Sequence, residues 1–140
     1  MSLEEFFGWC IAGFVFLSLL NYLLKQISRE YIKNLPPNRQ DFAQAYRRVM
    51  RVVVRNHRFF GFAALVFLAA HTAAVFLAGF LSATGLLTAA ALVISACLGL
   101  YGYYINRDYR AWWLSVHRLF ALIVIVTFII HFFFKKYIFL

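Results

Sequence analysis

The 140-residue sequence is too apolar for an ordinary soluble domain. Hydrophobic residues make up 64% of it, where soluble domains have about half, and its mean hydropathy is +0.78. The net charge of +9 would suit nucleic-acid binding, but the basic residues gather at the ends of long apolar segments, as in the loops of membrane proteins. We therefore exclude nucleic acid and expect membrane lipid as a partner.

Four apolar segments are long enough to cross a hydrocarbon core of about 30 Å, which takes about 20 helical residues. They cover approximately residues 6–24, 57–81, 86–104 and 114–137. Because a bilayer offers no water to backbone polar groups, each segment is predicted to be a helix. The expected fold class is all-α: one transmembrane domain, residues 1–140, built as an up-and-down four-helix bundle.

The connection between the first two segments carries most of the positive charge. From Lys25 to Arg58 it holds nine Lys and Arg residues against two acids, with Pro36-Pro37 as a breaker. Residues 39–56 are predicted to form a basic amphipathic helix at the cytoplasmic interface, which then bends or continues into the second span. The alternative for this stretch is a solvated linker without a role at the membrane.

The distribution of basic residues also predicts the orientation. This first connection together with Arg107, Arg110 and Arg118 contains twelve of the fourteen Lys and Arg residues, all on one side of the predicted spans. By the positive-inside rule that side is cytoplasmic, so both termini face outward. Lys135 and Lys136 are the exceptions. We expect an integral protein of a bacterial inner membrane.

The four histidines form two pairs with equal spacing. His57 and His71 are fourteen residues apart, as are His117 and His131. At about 100° per residue, fourteen residues return to within about 40° of the starting direction, so both histidines of a pair project from one helix face. They are about 21 Å apart along the helix. Each pair therefore places one histidine toward each membrane surface.

In an up-and-down bundle the second and fourth helices run in the same direction, so their histidines meet level for level. His57 is expected to face His117 near the cytoplasmic side, and His71 to face His131 nearer the outside. A haem iron takes one axial nitrogen on each face, and imidazole is a suitable ligand. The sequence thus predicts two bis-histidine haem irons. The alternative for each histidine is a packing residue or an interhelical hydrogen-bond partner. Without a CxxCH motif, covalent attachment is not indicated, which favours haem b.

Glycines recur near these positions. Gly61 follows His57 by four residues and lies on the same helix face, where the lack of a side chain would let a porphyrin approach. Gly85 and Gly99, in the third segment, are also fourteen residues apart, and we attribute that spacing to coincidence rather than to haem clearance.

Two arginines directly follow histidines at the predicted cytoplasmic edge. Arg58 and Arg118 are therefore candidates for bidentate pairing with the propionates of the inner haem. The alternative for each arginine is a topology signal at a helix end. At the outer haem, Lys135 and Lys136 are the nearest cations in the sequence.

The stretches Leu114-Ser115-Val116-His117 and Ile129-Ile130-His131-Phe132 resemble the fourth helix of cytochrome b from the bc-type respiratory complexes. They are also similar to ferric-reductase-like membrane cytochromes. The resemblance covers Asn56 to Lys136 and implies two haems stacked across the membrane. The outer quinol loop and further helices of the first family are absent, as is the flavin domain of the second. We therefore expect the electron donor to be a separate molecule.

The expected function is transmembrane electron transfer between a cytoplasmic-side donor and an outer-side acceptor, such as a quinone, a metal or a redox protein. Because both irons would carry two histidines, no open coordination position is expected, and no catalytic residue is predicted. The chain would act as a subunit of a complex or as a homo-oligomer. One alternative is a haem-bearing membrane anchor for a soluble oxidoreductase. Another is a histidine-lined metal or proton transporter, although no acidic residue lies deep in a span.

Overall fold

A computed structural model of the chain describes residues 2–79, 81–108 and 110–134. Four long helices account for most of them: α1 (Leu3–Glu30), α2 (Gln40–Leu77), α3 (Ala83–Tyr104) and α4 (Trp112–Phe134). All four are long and apolar enough to cross a membrane. The prediction of an all-α chain with four candidate spans is confirmed for the described residues. The end of the fourth predicted span, from Lys135 onward, lies outside them.

The chain divides into two compact units. The smaller unit is Trp9–Ala64, which contains most of α1 and the first part of α2. The larger unit combines Met1–Gly8 with Leu65–Leu140, and therefore contains the first turns of α1, the end of α2, and all of α3 and α4.

In the smaller unit, a proline break turns the chain between α1 and α2. Leu35 has an extended backbone because it precedes Pro36, and short 3₁₀ turns occupy Ile32–Asn34 and Pro37–Arg39 on either side of the break. The two helices are tied by Tyr46, whose hydroxyl donates a hydrogen bond of 2.8 Å to the backbone carbonyl of Leu24. This bond joins the two helices within the smaller unit.

Helix α2 is one continuous element of 38 residues, so the predicted amphipathic helix continues directly into the second span. No proline interrupts it, and its arginine, alanine and glutamine residues favour helix, so nothing breaks the chain near Asn56. It ends at Leu77, four residues before the predicted boundary, because Gly79 takes the left-handed conformation, with φ at 77°, that often terminates helices.

Helices α3 and α4 form an antiparallel hairpin in the larger unit. Ser82 caps α3 by accepting a hydrogen bond of 3.0 Å from the Gly85 amide, so α3 begins three residues earlier than predicted. At the other end, the Trp113 indole packs directly on Gly102 and is only 5% exposed. Its Nε1 donates to the Asp108 carbonyl at 3.1 Å. These contacts align the two helices at the connecting loop.

Gly102 is the position where a side chain would do most harm to this hairpin. A Cβ there would collide with the six-membered ring of Trp113, so Gly102→Ala is expected to destabilise the protein by about 1–3 kcal/mol, as overpacking usually does. The thermal unfolding midpoint of the purified protein in detergent measures the effect. Gly13→Ala is the matched control, because a Cβ at residue 13 meets nothing within 4 Å. Equal midpoints for the two variants would contradict the assigned contact.

Candidate functional site

Each of the four histidines lies on α2 or α4 and is half-buried. His71, His117 and His131 belong to the larger unit, and His57 belongs to the smaller one. In the larger unit, each ring has its Nδ1 atom within hydrogen-bond distance of a defined oxygen on another helix or at its cap. The partners differ among the three histidines.

His71 is held by the first turn of α1. Its Nδ1 lies 2.9 Å from the backbone carbonyl oxygen of Glu4. The ring also lies beside Gly8, where a Cβ would be 3.7 Å from Cε1, an ordinary contact distance. The rings of Phe7 and Phe67, one turn away, pack with centroids 6.1 Å apart. The start of α1 therefore packs on the second half of α2 at the level of His71.

His117 faces the middle of α3. Its Nδ1 lies 2.8 Å from the carbonyl oxygen of Ser95 and 3.4 Å from the hydroxyl of the same residue. The ring reaches that carbonyl by passing over Gly99, where an added Cβ would be 3.4 Å from Cε1. Ser95 is buried, with 7% of its surface exposed. The bond is therefore shielded from competition by solvent.

His131 faces the capped start of α3. Its Nδ1 lies 3.2 Å from the Ser82 hydroxyl and 3.1 Å from the Thr84 hydroxyl, and these two oxygens are 3.3 Å apart. The ring packs closely on Gly85, where a Cβ would come within 3.1 Å of Cε1. Ser82 thus has two roles: it caps α3 and it contacts the histidine.

The hydrogen-bond partners determine the tautomers of two rings. A carbonyl oxygen can only accept, so Nδ1 must carry the proton in both His71 and His117. The lone pair of the neutral ring then lies on Nε2. Metal-ligating histidines almost always donate their second N–H to a carbonyl, a carboxylate or a water in this way. For His131 both partners are hydroxyls, which can donate or accept.

The fourteen-residue spacing of Gly85 and Gly99, attributed to coincidence from the sequence, matches the spacing of the two α4 histidines. Because α3 and α4 are antiparallel, two glycines fourteen residues apart on α3 meet two histidines fourteen residues apart on α4. Gly99 lies beside His117 and Gly85 lies beside His131. At Gly85 the missing side chain lets the His131 ring approach the α3 backbone, whereas a Cβ at Gly99 would be at ordinary contact distance from the His117 ring.

Sequence reasoning missed the hydroxyl and carbonyl partners of the rings. These are Glu4, Ser82, Thr84 and Ser95, together with the neighbouring Gly8. A signal for some of them was present: in an antiparallel hairpin, the residue opposite another follows from counting outward from the loop. Counting from the α3–α4 loop would have placed Gly99 opposite His117.

The remaining predicted site residues lie as follows. His57 has its Nδ1 atom buried within the smaller unit. Arg58 is exposed, and its guanidinium lies 4.9 Å from the centre of the Phe59 ring. Arg118 is exposed on α4. A Cβ at Gly61 would meet nothing within 4 Å, which leaves open space there. Lys135 and Lys136 lie outside the described residues.

Among residues 2–79, 81–108 and 110–134, no group of three or more His, Cys, Asp or Glu side chains could hold a metal ion by itself. A haem iron needs only two axial protein ligands, so pairs of histidines are the relevant unit.

No protein-family model, curated protein or solved structure matches the chain. The resemblance to cytochrome b therefore stays a prediction from the residues themselves.

The tautomers can be measured directly. In protein labelled with ¹⁵N-histidine at pH 8.5, His71 and His117 are expected to show a protonated Nδ1 and an unprotonated Nε2, because a carbonyl accepts from each Nδ1. Two-dimensional ¹H–¹⁵N NMR distinguishes the two ring nitrogens. Variants that each lack one histidine assign every signal to its residue. A proton found on Nε2 of either ring would show that the carbonyl contact is wrong.

Proposed function

We propose that this chain carries electrons across a membrane on two b-type haems, one held by His57 and His117 and the other by His71 and His131. A bound haem supplies an iron that gains and loses one electron reversibly. The observation that carries the proposal is the hydrogen bond from Nδ1 of a histidine to a carbonyl, seen for His71 and His117. This bond orients each ring and places its lone pair on Nε2, as an iron ligand requires.

The glycines beside the histidines support the same proposal. Gly85 lets the His131 ring lie close against α3, because a Cβ there would come within 3.1 Å of Cε1. Gly8 and Gly99 lie beside His71 and His117 at ordinary contact distance. Glycine inside a helix lowers its stability by about 1 kcal/mol relative to alanine. At Gly85 the absence of a side chain makes room for the His131 ring. A histidine that only filled core space would not require such close approach to a carbonyl.

Spacing supports the pairing of the histidines. His57 and His71 on α2 are separated by the same fourteen residues as His117 and His131 on α4. If the four helices cross a membrane in succession, α2 and α4 run in the same direction, so each α2 histidine lies level with one on α4. The two sites would then be about 21 Å apart along the helices.

The proposed topology follows from the arginines and lysines. The α1–α2 connection, the first part of α2 and the α3–α4 loop carry most of the basic residues, which places them in the cytoplasm by the positive-inside rule. Both termini then face outward, and the membrane is a bacterial inner membrane. The His57 and His117 site lies on the cytoplasmic side in this arrangement.

The chain's own residues would set the properties of the two sites. His57, His117, His71 and His131 would hold the two haems, which would supply electron transfer; with two histidines for each iron, no binding of a substrate at the iron would be expected. Arg58 and Arg118 follow the cytoplasmic-side ligands and are the proposed partners of haem propionates, and Gly61 leaves room beside His57. The donor and the acceptor, a quinone, a metal or another redox protein, are separate partners.

Haem content tests the proposal most directly. The purified protein is expected to contain two haems b per chain by pyridine haemochrome, with a low-spin α band on reduction. A protein purified without haem from haem-replete cells, and unable to take up added haem, would refute it. Electron transfer is then tested in vesicles: a reductant trapped inside should reduce an impermeant acceptor outside only when the protein is present.

Single histidine variants test the pairing. His71→Ala and His131→Ala are expected to lose the same haem, and His57→Ala and His117→Ala the other, because each iron needs both ligands. Optical and electron paramagnetic resonance spectra identify the haem that remains. Thr72→Ala, next to His71 but exposed on α2, is the control and should keep both haems. Loss of different haems from His71→Ala and His131→Ala would disprove the pairing.

The hydroxyls beside His131 should affect the midpoint potential of only one of the two proposed haems. A hydrogen bond that the Nδ1–H group donates makes the ligand more basic and favours oxidised iron. With Nε2 as the iron ligand, Nδ1 of His131 would donate to these hydroxyls. Removing both in Ser82→Ala/Thr84→Val should therefore raise the midpoint potential of the His131 haem, on the order of 40 mV for one hydrogen bond of about 1 kcal/mol. The other haem should not change. Spectroelectrochemical titration measures both potentials.

Ser95→Ala is the matched control for this experiment. It removes a hydroxyl near His117 but keeps the carbonyl at 2.8 Å, so neither potential should move. Because Ser82 also caps α3, the helical content of both variants is compared by circular dichroism. A shift of both potentials in the double variant, or of neither, would show that the hydroxyls do not act through His131.

A further inference from the structure

One exposed ridge on α2 joins cations to large apolar side chains. Its members follow at helical intervals of four, four and three residues, so they share one face. We call this face the Arg–Phe ridge: Arg51, Arg55, Phe59 and Phe62. Both arginines are exposed, and the two phenylalanine side chains are 56% and 67% exposed. All four residues belong to the smaller unit.

We propose that the Arg–Phe ridge binds an anionic phospholipid, with the phosphate at Arg51 and Arg55 and an acyl chain along Phe59 and Phe62. The two guanidinium groups arise one helical turn apart, about 6 Å along the axis. Arginine presents a planar set of donors that matches phosphate oxygens in bidentate geometry. The site does not depend on haem.

The charge of the ridge is not balanced by acids nearby in sequence. After Asp41 the next acidic residue is Asp108, so the whole of α2 beyond its first turn contains no carboxylate. Arg47 and Arg48, one turn before Arg51, are also exposed and add to the positive potential. This part of α2 is therefore complementary to a negatively charged headgroup.

Exposed phenylalanine at one end of the ridge favours a lipid over a soluble acidic partner. Phe59 and Phe62 begin the apolar part of α2, which is long enough to cross a membrane. An acyl chain would remove both rings from water, which is favourable, whereas a soluble acidic partner offers no apolar surface to cover them. The cations precede the apolar residues directly, which is where the headgroups of the surrounding lipid lie.

Native mass spectrometry of the full-length protein in detergent tests the proposal. The protein is titrated with dioleoylphosphatidylglycerol and, separately, with dioleoylphosphatidylcholine, which has the same chains but no net charge. The first bound phosphatidylglycerol is expected to bind roughly tenfold more tightly or better, since each basic residue near a lipid surface contributes on the order of 1 kcal/mol.

Two double variants separate the ridge from overall charge. Arg51→Gln/Arg55→Gln should abolish the preference for phosphatidylglycerol. Arg29→Gln/Lys33→Gln removes the same charge from exposed positions of the same unit and should keep it. Phe62→Ala should weaken the binding of both lipids, because the chain contact is lost. Circular dichroism confirms that each variant keeps its helical content.

Four results would overturn the proposal. The first is a preference for phosphatidylglycerol that survives in Arg51→Gln/Arg55→Gln. The second is a preference that is lost equally in Arg29→Gln/Lys33→Gln, which would indicate only diffuse charge. The third is competition by glycerol phosphate or polyglutamate as strong as that by the lipid, which would assign the ridge to a free anion or to an acidic protein. The fourth is a dimer that dissociates on substitution of Arg51 and Arg55, which would assign the ridge to a second copy of the chain.

Discussion

The contact at Nδ1 is the constraint on which the orientation of the His71, His117 and His131 rings depends. An imidazole that ligates iron through Nε2 has to keep a proton on Nδ1, and that proton needs an acceptor once it is buried. His71 and His117 find theirs in backbone carbonyls, and His131 lies beside two hydroxyls. Each oxygen partner belongs to a different part of the chain from the ring, so the orientation of these rings depends on tertiary packing.

This requirement explains why the helix register in the larger unit tolerates little change. On α3, Gly99 and Gly85 have to lie opposite His117 and His131, and a shift by one residue would put a side chain under each ring. Gly102 beneath Trp113 aligns the same two helices near the loop. Glycine lowers helix propensity, but at these positions it allows contacts that a larger residue would exclude.

The partners of the three rings are not equivalent, and this difference has chemical consequences. A main-chain carbonyl cannot be removed by substitution and always accepts, whereas the hydroxyls of Ser82 and Thr84 can rotate and be replaced. The environment of His131 is therefore the part of the proposed sites that sequence change can adjust most readily. Since Ser82 also caps α3, the start of that helix and the orientation of His131 are coupled.

The sequence by itself determined that the chain is helical and has four apolar segments long enough to cross a membrane, since apolar length is a local property. It also determined that each histidine pair shares one face of a helix, because fourteen residues almost complete four turns. Only the tertiary structure decided that Gly85 and Gly99 lie beside histidines, and that Ser82, Thr84 and Ser95 contact their rings. These features depend on the register between helices and on side-chain rotamers, which hydrophobic periodicity does not specify.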